Sequence, residues 1–223
     1  MNCNVYEIES FLKETHWDYK AGFSEDDAEE FLESIWYEGM PNYDYEIGAT
    51  KLVIIPINLD YVIKIPYNMA WCEGDCYDFI GLPQGFDDYC EYELHLYEVA
   101  HDAGWGDLFL PTEYIGNFAD IPIYIQAKAE EYGKNFCDYA TEASKEAIMN
   151  KRKEDRRGFL NFLSLPFDWV ACCLDILHSF DKLRQFFYFL ENEKISRDLH
   201  RANIGFYKNK PVIIDYGGYF EEV

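Results

Sequence analysis

Two short apolar runs, Ile204-Gly205-Phe206-Tyr207 and Val212-Ile213-Ile214, constrain this chain more than any other feature. Lys208-Asn209-Lys210 separates them, and the spacing predicts a short β-hairpin. Oxygen-bearing side chains stand around the pair: Asp198, Asn203 five residues later and Asp215 twelve beyond that. Carboxylate and amide oxygens are hard ligands, suited to Mg²⁺ and to orienting a hydroxyl group. Each residue alone has a plainer reading, as a turn aspartate, a loop asparagine and an aspartate ending a strand.

Composition decides what kind of chain carries this segment. With 223 residues it can bury a full core, as one domain or two small lobes. The formal charge of −23 would suggest disorder only if hydrophobicity were low, and 49% of residues are hydrophobic and 18% aromatic. No apolar stretch approaches the roughly 20 residues that span a bilayer. Met1-Asn2-Cys3-Asn4-Val5-Tyr6-Glu7 lacks the basic-then-apolar order of a secretory signal. Seven scattered cysteines fit reduced thiols in a cytoplasm better than a disulfide framework. A surface this negative disfavours nucleic acid, whose binding depends on Lys and Arg neutralising phosphates. It serves solubility, or it engages a basic protein partner.

Along the chain, residues 1–41 read as an acidic helical extension, with Ser24 and Asp27 in capping-box form and Phe31, Ile35 and Trp36 at helical spacing. Strand patterns follow over Leu52–Ile57 and Tyr61–Ile65, joined by a tight turn at Asn58-Leu59-Asp60. Beyond a Gly-, Cys- and Asp-rich loop, residues 89–103 read as an amphipathic helix with Tyr89, Leu96, Ala100 and Ala103 on one face. Two more strands are expected over Phe109–Phe118 and Ile121–Ile125, and a helix from Asp138 to about Arg157. From Asp168 to Leu190 a single long helix is expected, striped by Trp169, Cys173, Ile176, Phe180, Leu183, Phe187 and Leu190.

Ser196-Arg197-Asp198-Leu199-His200-Arg201-Ala202-Asn203 and Ile213-Ile214-Asp215-Tyr216-Gly217 resemble the catalytic loop and metal-binding loop of the protein-kinase-like superfamily, written H-R-D-x-x-x-x-N and D-F-G. The resemblance spans about residues 43–217. It implies an α+β, two-lobed protein-kinase-like fold with nucleotide between the lobes. The extension at 1–41 would precede an N-terminal lobe at 42–131, a sheet plus one helix. A reduced, truncated helical C-terminal lobe would follow at 132–223. Asp198 would orient the acceptor hydroxyl, Asn203 and Asp215 would hold Mg²⁺, and ATP would be the phosphate donor. Lys64, in Val62-Ile63-Lys64-Ile65, would hold the nucleotide phosphates and pair with a helix glutamate. Of Glu91, Glu93 and Glu98, only Glu93 shares a face with Tyr89, Leu96 and Ala100. Without the resemblance, Lys64 would read as an edge lysine snorkelling to water.

Other family elements are thinner. Gly48 is the only glycine of the expected phosphate loop, where the N–H groups of Ala49 and Thr50 would cradle phosphate and Lys51 would add charge. Gln126-Ala127-Lys128 takes the position of the hinge that holds adenine through backbone groups. Ser196 stands where the family has His, and His200 where protein kinases carry Lys. The pattern Asp-Leu-His-x-x-Asn is closer to aminoglycoside and choline phosphotransferases, or to atypical bacterial and phage kinases. The sequence ends six residues after Gly217, so the peptide-binding platform of a protein kinase is not expected. The implied activity is transfer of the ATP γ-phosphate to a hydroxyl. The alternative is a catalytically weak, kinase-like binding protein of the phage-inhibitor type. Cys72 and Cys76 have no second pair at zinc spacing, Cys172-Cys173 reads as core, and Lys151–Arg157 as a favourable helix end or an acidic-partner dock.

Overall fold

The computed structural model describes residues 43–47, 50–57, 59–66, 85–118, 121–132, 139–154, 165–197 and 199–217. The expected extension at 1–41, the cysteine pair Cys72 and Cys76, and Asn58 lie outside them. The described residues form a mixed α+β fold with antiparallel sheets. None of its helices is long and apolar enough to cross a membrane.

These residues fall into two compact units. The first runs to His95 and resumes over Pro111–Lys128; the second takes Leu96–Leu110 and resumes from Ala129.

In the first unit, β1 (Tyr43–Ile47), β2 (Lys51–Pro56), β3 (Tyr61–Pro66), β4 (Thr112–Phe118) and β5 (Ile121–Ala127) form one antiparallel sheet in the order β1-β2-β3-β5-β4. Register sorts their side chains, because residues opposite one another share a face and successive residues alternate. Val53 pairs with Lys64, Lys64 with Tyr124, Val62 with Gln126, and Gln126 with Thr112. Lys51, Val53, Val62, Lys64, Tyr124, Gln126 and Thr112 therefore share one face. Leu52, Ile54, Tyr61, Ile63, Ile65, Ile123, Ile125 and Ala127 take the other, and all eight are buried.

Helix α1 (Tyr89–Asp102) begins in this unit. Asp88 caps it: its Oδ1 accepts the Glu91 N–H at 2.8 Å, while Glu91 Oε2 accepts the Asp87 N–H at 2.8 Å. Asp88-Tyr89-Cys90-Glu91 thus has capping-box spacing, a start signal that the apolar periodicity alone did not use. Tyr89, Leu96 and Ala100 are buried as expected, whereas Ala103 is exposed. The helix has ended by then, in a turn that brings Gly104 to φ +83°.

The second unit contains α2 (Glu142–Glu154), α3 (Phe167–Leu177), α4 (Phe180–Asn192), and the strands β6 (Glu130–Glu131), β7 (Ile204–Tyr207) and β8 (Lys210–Ile213). The single helix expected from Asp168 to Leu190 is two. His178 adopts φ 57°, and Ser179 caps α4 by accepting the Lys182 N–H at 3.2 Å. The apolar stripe crosses this break without a change of composition. Trp169, Cys173, Leu183, Phe187 and Leu190 are buried, while Ile176 and Phe180 beside the break are half-buried. Trp169–Leu174 is buried all round, as in a central helix.

The expected terminal hairpin is present, with Lys208 at φ 50° and Asn209 at φ 63°. Positive φ at both turn residues gives the handedness that suits twisted strands, and Asn tolerates it readily. β6 adds a third strand against β7 that the sequence reading missed. Its approach requires Gly205, where an added Cβ would run into the Glu130 carbonyl oxygen and lie 2.7 Å from Ile214 Cδ1. Phe109 and Leu110, expected to open a strand, instead lie buried before β4. Phe109 bridges to Ile213 and meets Tyr216 edge-on, at a ring separation of 5.1 Å.

Candidate functional site

The polar face of the first unit's sheet carries a buried charge cluster. Lys64 is 3% exposed and Glu93 is 0% exposed. Lys64 Nζ donates to Glu93 Oε1 at 2.6 Å. Inward direction on α1 singled out Glu93 from the sequence, and α1 does turn it onto this face. Helical spacing sets that direction, since Glu93 lies three residues before buried Leu96.

Lys51 completes the cluster in a way the sequence reading did not anticipate. Instead of lying in a phosphate loop, it opens β2 and is 6% exposed. Its Nζ donates to Glu93 Oε2 at 3.0 Å. Because Val53 is opposite Lys64, Lys51 is the diagonal neighbour of Lys64 on the same face, a distance that long side chains bridge. Lysine at the start of an apolar strand, two residues before the position opposite Lys64, was the available signal. Reading it required the register, which no local pattern supplies.

Gln126 serves the same carboxylate through its side chain. Its Nε2 donates to Glu93 Oε1 at 3.1 Å and to Thr112 Oγ1 at 3.0 Å. Its expected hinge neighbours are engaged too: the Ala127 N–H donates to Pro111 O at 2.9 Å, and the Lys128 N–H to Asp60 O at 2.7 Å. Lys128 Nζ also donates to Pro56 O at 3.1 Å. These two N–H groups hold the sheet together, so adenine recognition by them would require breaking bonds already made. Thr50 is half-buried in a bend before β2, and Gly48 and Ala49 lie outside the described residues.

The surroundings of the cluster are low in water. Burial pushes the Asp88 carboxyl above the usual carboxylate range, against the opposing N–H groups of Glu91 and Cys90. Tyr124 O–H donates to Asp88 Oδ2 at 3.3 Å, and burial, with the charge of Asp88, pushes the phenol upward. Burial also pushes the Cys90 thiol up, although Lys51 pulls against it. A carboxylate held charged in such a place needs cations and hydrogen bonds to offset lost hydration. Glu93 has both.

In the second unit, Asn203 and Asp215 stand at the open end of the β7–β8 hairpin. Ile204 is opposite Ile213, and the Ile214 N–H donates to the Asn203 carbonyl at 2.8 Å, extending the ladder by one step. Asn203 is thereby register-matched to Ile214, and Asp215 is the next residue. Folding the hairpin places Asn203 and Asp215, twelve residues apart in sequence, one register step from each other along the backbone. Asn203 is buried in the short 3₁₀ turn Arg201–Asn203, Asp215 is half-buried, and Gly217 is buried. His200 is exposed and caps that turn, its Nδ1 accepting the Ala202 N–H at 3.2 Å. Asp198 lies outside the described residues.

Among the described residues no three or more His, Cys, Asp and Glu side chains gather as a metal-binding group. Asn203 and Asp215 still offer the donor chemistry that Mg²⁺ takes, since this ion is usually held by one or two protein oxygens with water and phosphate. Arg152, in the basic run, lies over the Phe167 ring with its carbon 5.4 Å from the centroid, a packing role. Arg156 and Arg157 lie outside the described residues. Cys172 and Cys173 are buried core residues, as expected. No protein-family model matches this chain, and no curated protein matches it in sequence.

Proposed function

We infer that this protein is a kinase-like phosphotransferase that moves the ATP γ-phosphate to a hydroxyl acceptor, in a two-lobed fold of the protein-kinase-like type. The observation that carries the reading is the buried Lys64–Glu93 pair, 2.6 Å between Nζ and Oε1. A lysine held this way presents an ammonium group whose direction is fixed before phosphate arrives. The register-adjacent Asn203 and Asp215 add support as oxygen donors for Mg²⁺. When bound, the metal would neutralise charge on the nucleotide phosphates. Asp198, five residues before Asn203, would accept a hydrogen bond from the acceptor hydroxyl and orient it. Catalysis would then come from positioning and charge stabilisation.

The test is Mg²⁺-ATP binding and γ-phosphate release by the wild type, Asp198→Ala and Asp215→Ala. Asp198→Ala is expected to keep nucleotide binding and to lose on the order of 10²–10⁴ in rate. Asp215→Ala is expected to lose metal-dependent binding. A wild type that neither binds ATP nor releases phosphate sinks the enzyme reading. The charge of −23 favours a second reading, a binding protein whose acidic surface engages a basic partner. Its signature would be a complex that survives both substitutions and weakens as salt screens the charges.

A further inference from the structure

Lys64 and Gln126 share one oxygen of Glu93. Lys64 Nζ donates to Oε1 at 2.6 Å and Gln126 Nε2 to the same atom at 3.1 Å, while Lys51 Nζ takes Oε2 at 3.0 Å. A carboxylate oxygen accepts along two lone-pair directions, so Oε1 is full. Gln126 holds one direction, and the Lys64 ammonium is confined to the other. Without the amide, a lysine on its flexible stem would swing between the two.

Gln126 is itself held from both ends. It stands on β5, between Val62 on β3 and Thr112 on β4. Its amide has two N–H donors and both are spent, one on Glu93 and the other on Thr112 Oγ1 at 3.0 Å. A carboxylate only accepts, so the NH₂ end of the amide must face Glu93. Thr112 is β-branched and stiff at χ1, and it and Gln126 are each 1% exposed. Thr112, Gln126, Glu93 and Lys64 thus form a chain from the edge strand β4 to the ammonium group, all within the first unit.

We propose that Gln126, anchored by Thr112, is a positioning residue that fixes the direction in which Lys64 presents its ammonium group to the phosphates of a nucleoside triphosphate. This rests on the nucleotide-binding role inferred above for Lys64. Lys64 keeps its bond to Glu93 throughout, and its remaining N–H bonds meet the ligand. Gln126 touches no phosphate and acts only through Glu93 Oε1.

The test is a double-mutant cycle on Mg²⁺-ATP affinity, read by isothermal titration calorimetry in the wild type, Gln126→Met, Lys64→Met and the double variant. Methionine keeps the length of the glutamine side chain and removes its donors. Gln126→Met is expected to weaken binding roughly tenfold in the wild-type background. In Lys64→Met it should add no further loss, because no ammonium is left to aim. Equal losses in the two backgrounds overturn the proposal, since a direct contact or a general packing defect acts whether or not Lys64 is present. Wild-type affinity in Gln126→Met overturns it as well. Either result leaves the nucleotide reading intact. Thr112→Ser should bind like the wild type because it keeps the acceptor, whereas Thr112→Val should lose about twofold to threefold. If Gln126→Met does not fold, Thr112→Val takes its place in the cycle and is judged in the same way. Lys64→Met with wild-type affinity overturns the reading of Lys64, and the role of Gln126 with it. A wild type that does not bind Mg²⁺-ATP overturns both.

Discussion

Glu93 in the first unit and Asp175 in the second each gather three donors, from opposite environments. Glu93 is fully buried and takes two ammonium groups and an amide. Asp175 is half-buried on α3 and takes the Thr141 N–H at 2.8 Å, the Thr141 hydroxyl at 2.7 Å and the Ser144 hydroxyl. Thr141 in turn accepts the Ser144 N–H, so Asp175 ties the start of α2 to α3. Burial alone would raise the Asp175 carboxyl, but the bonds from Ser144 and Thr141 outweigh it and hold it below the usual range. Neutral donors near water suffice to fasten a helix end. A buried carboxylate with two lysines is a costly way to fasten anything, because an apolar replacement is often as stable. The contrast separates a structural staple from a cluster whose charge suggests a use.

The largest expected effect breaks the buried side of this comparison. Glu93→Gln leaves two ammonium groups facing each other without a counter-charge, and should cost about 3–5 kcal/mol of stability in urea unfolding. Lys64→Met should cost less, because Lys51 and Gln126 still hold Glu93; equal losses would mean that the two lysines do not share it. Next is Gly205→Ala, whose methyl group meets the Glu130 carbonyl. It should cost about 1–3 kcal/mol and loosen β6 from β7, visible as faster amide exchange at Tyr132, whose N–H donates to Ile204 O. If that amide stays protected, the close approach is not needed.

Asp175→Asn sharpens the exposed side. At neutral pH it should lower stability by about 1 kcal/mol. Asp175 has a folded value below its ordinary 3.8, so its contribution is present above pH 3.8 and lost as pH falls below it. Wild type and variant should converge there, and a gap that persists at pH 2 would count against this account. The smallest effect concerns thiols. Burial pushes Cys172 up to about 12, with Asp175 and Asp168 adding to the shift. Stability from this thiol is complete below pH 9.0 and lost as pH rises toward 12. Native protein should leave Cys90, Cys172 and Cys173 unreactive to a thiol reagent at pH 8, and urea should expose them. Rapid labelling of these three without urea would show that the cores open readily.

Much of the fold was legible because local periodicity carries it. Alternation marked β2, β3 and β5, and helical spacing turned Glu93 inward with Tyr89, Leu96 and Ala100. The break at His178 and Ser179 was hidden because an apolar stripe continues across it, and a positive φ at His178 leaves little trace in composition. Lys51 was assigned to a loop because its partner is 42 residues away. The hinge assignment of Gln126, Ala127 and Lys128 was positional, and it missed that the Gln126 side chain bonds to Glu93.

Residue order by itself determined a mixed α+β chain, a terminal hairpin around Lys208 and Asn209, and the spacing of Asp198, Asn203 and Asp215. It also determined that Glu93 lies on the buried face of its helix. Only tertiary structure decided that Lys51 joins Lys64 on Glu93 and that Gln126 steadies the same carboxylate. The reason is range. Strand and helix periods are properties of a few consecutive residues, whereas these contacts depend on strand register, which exists only once distant segments have paired.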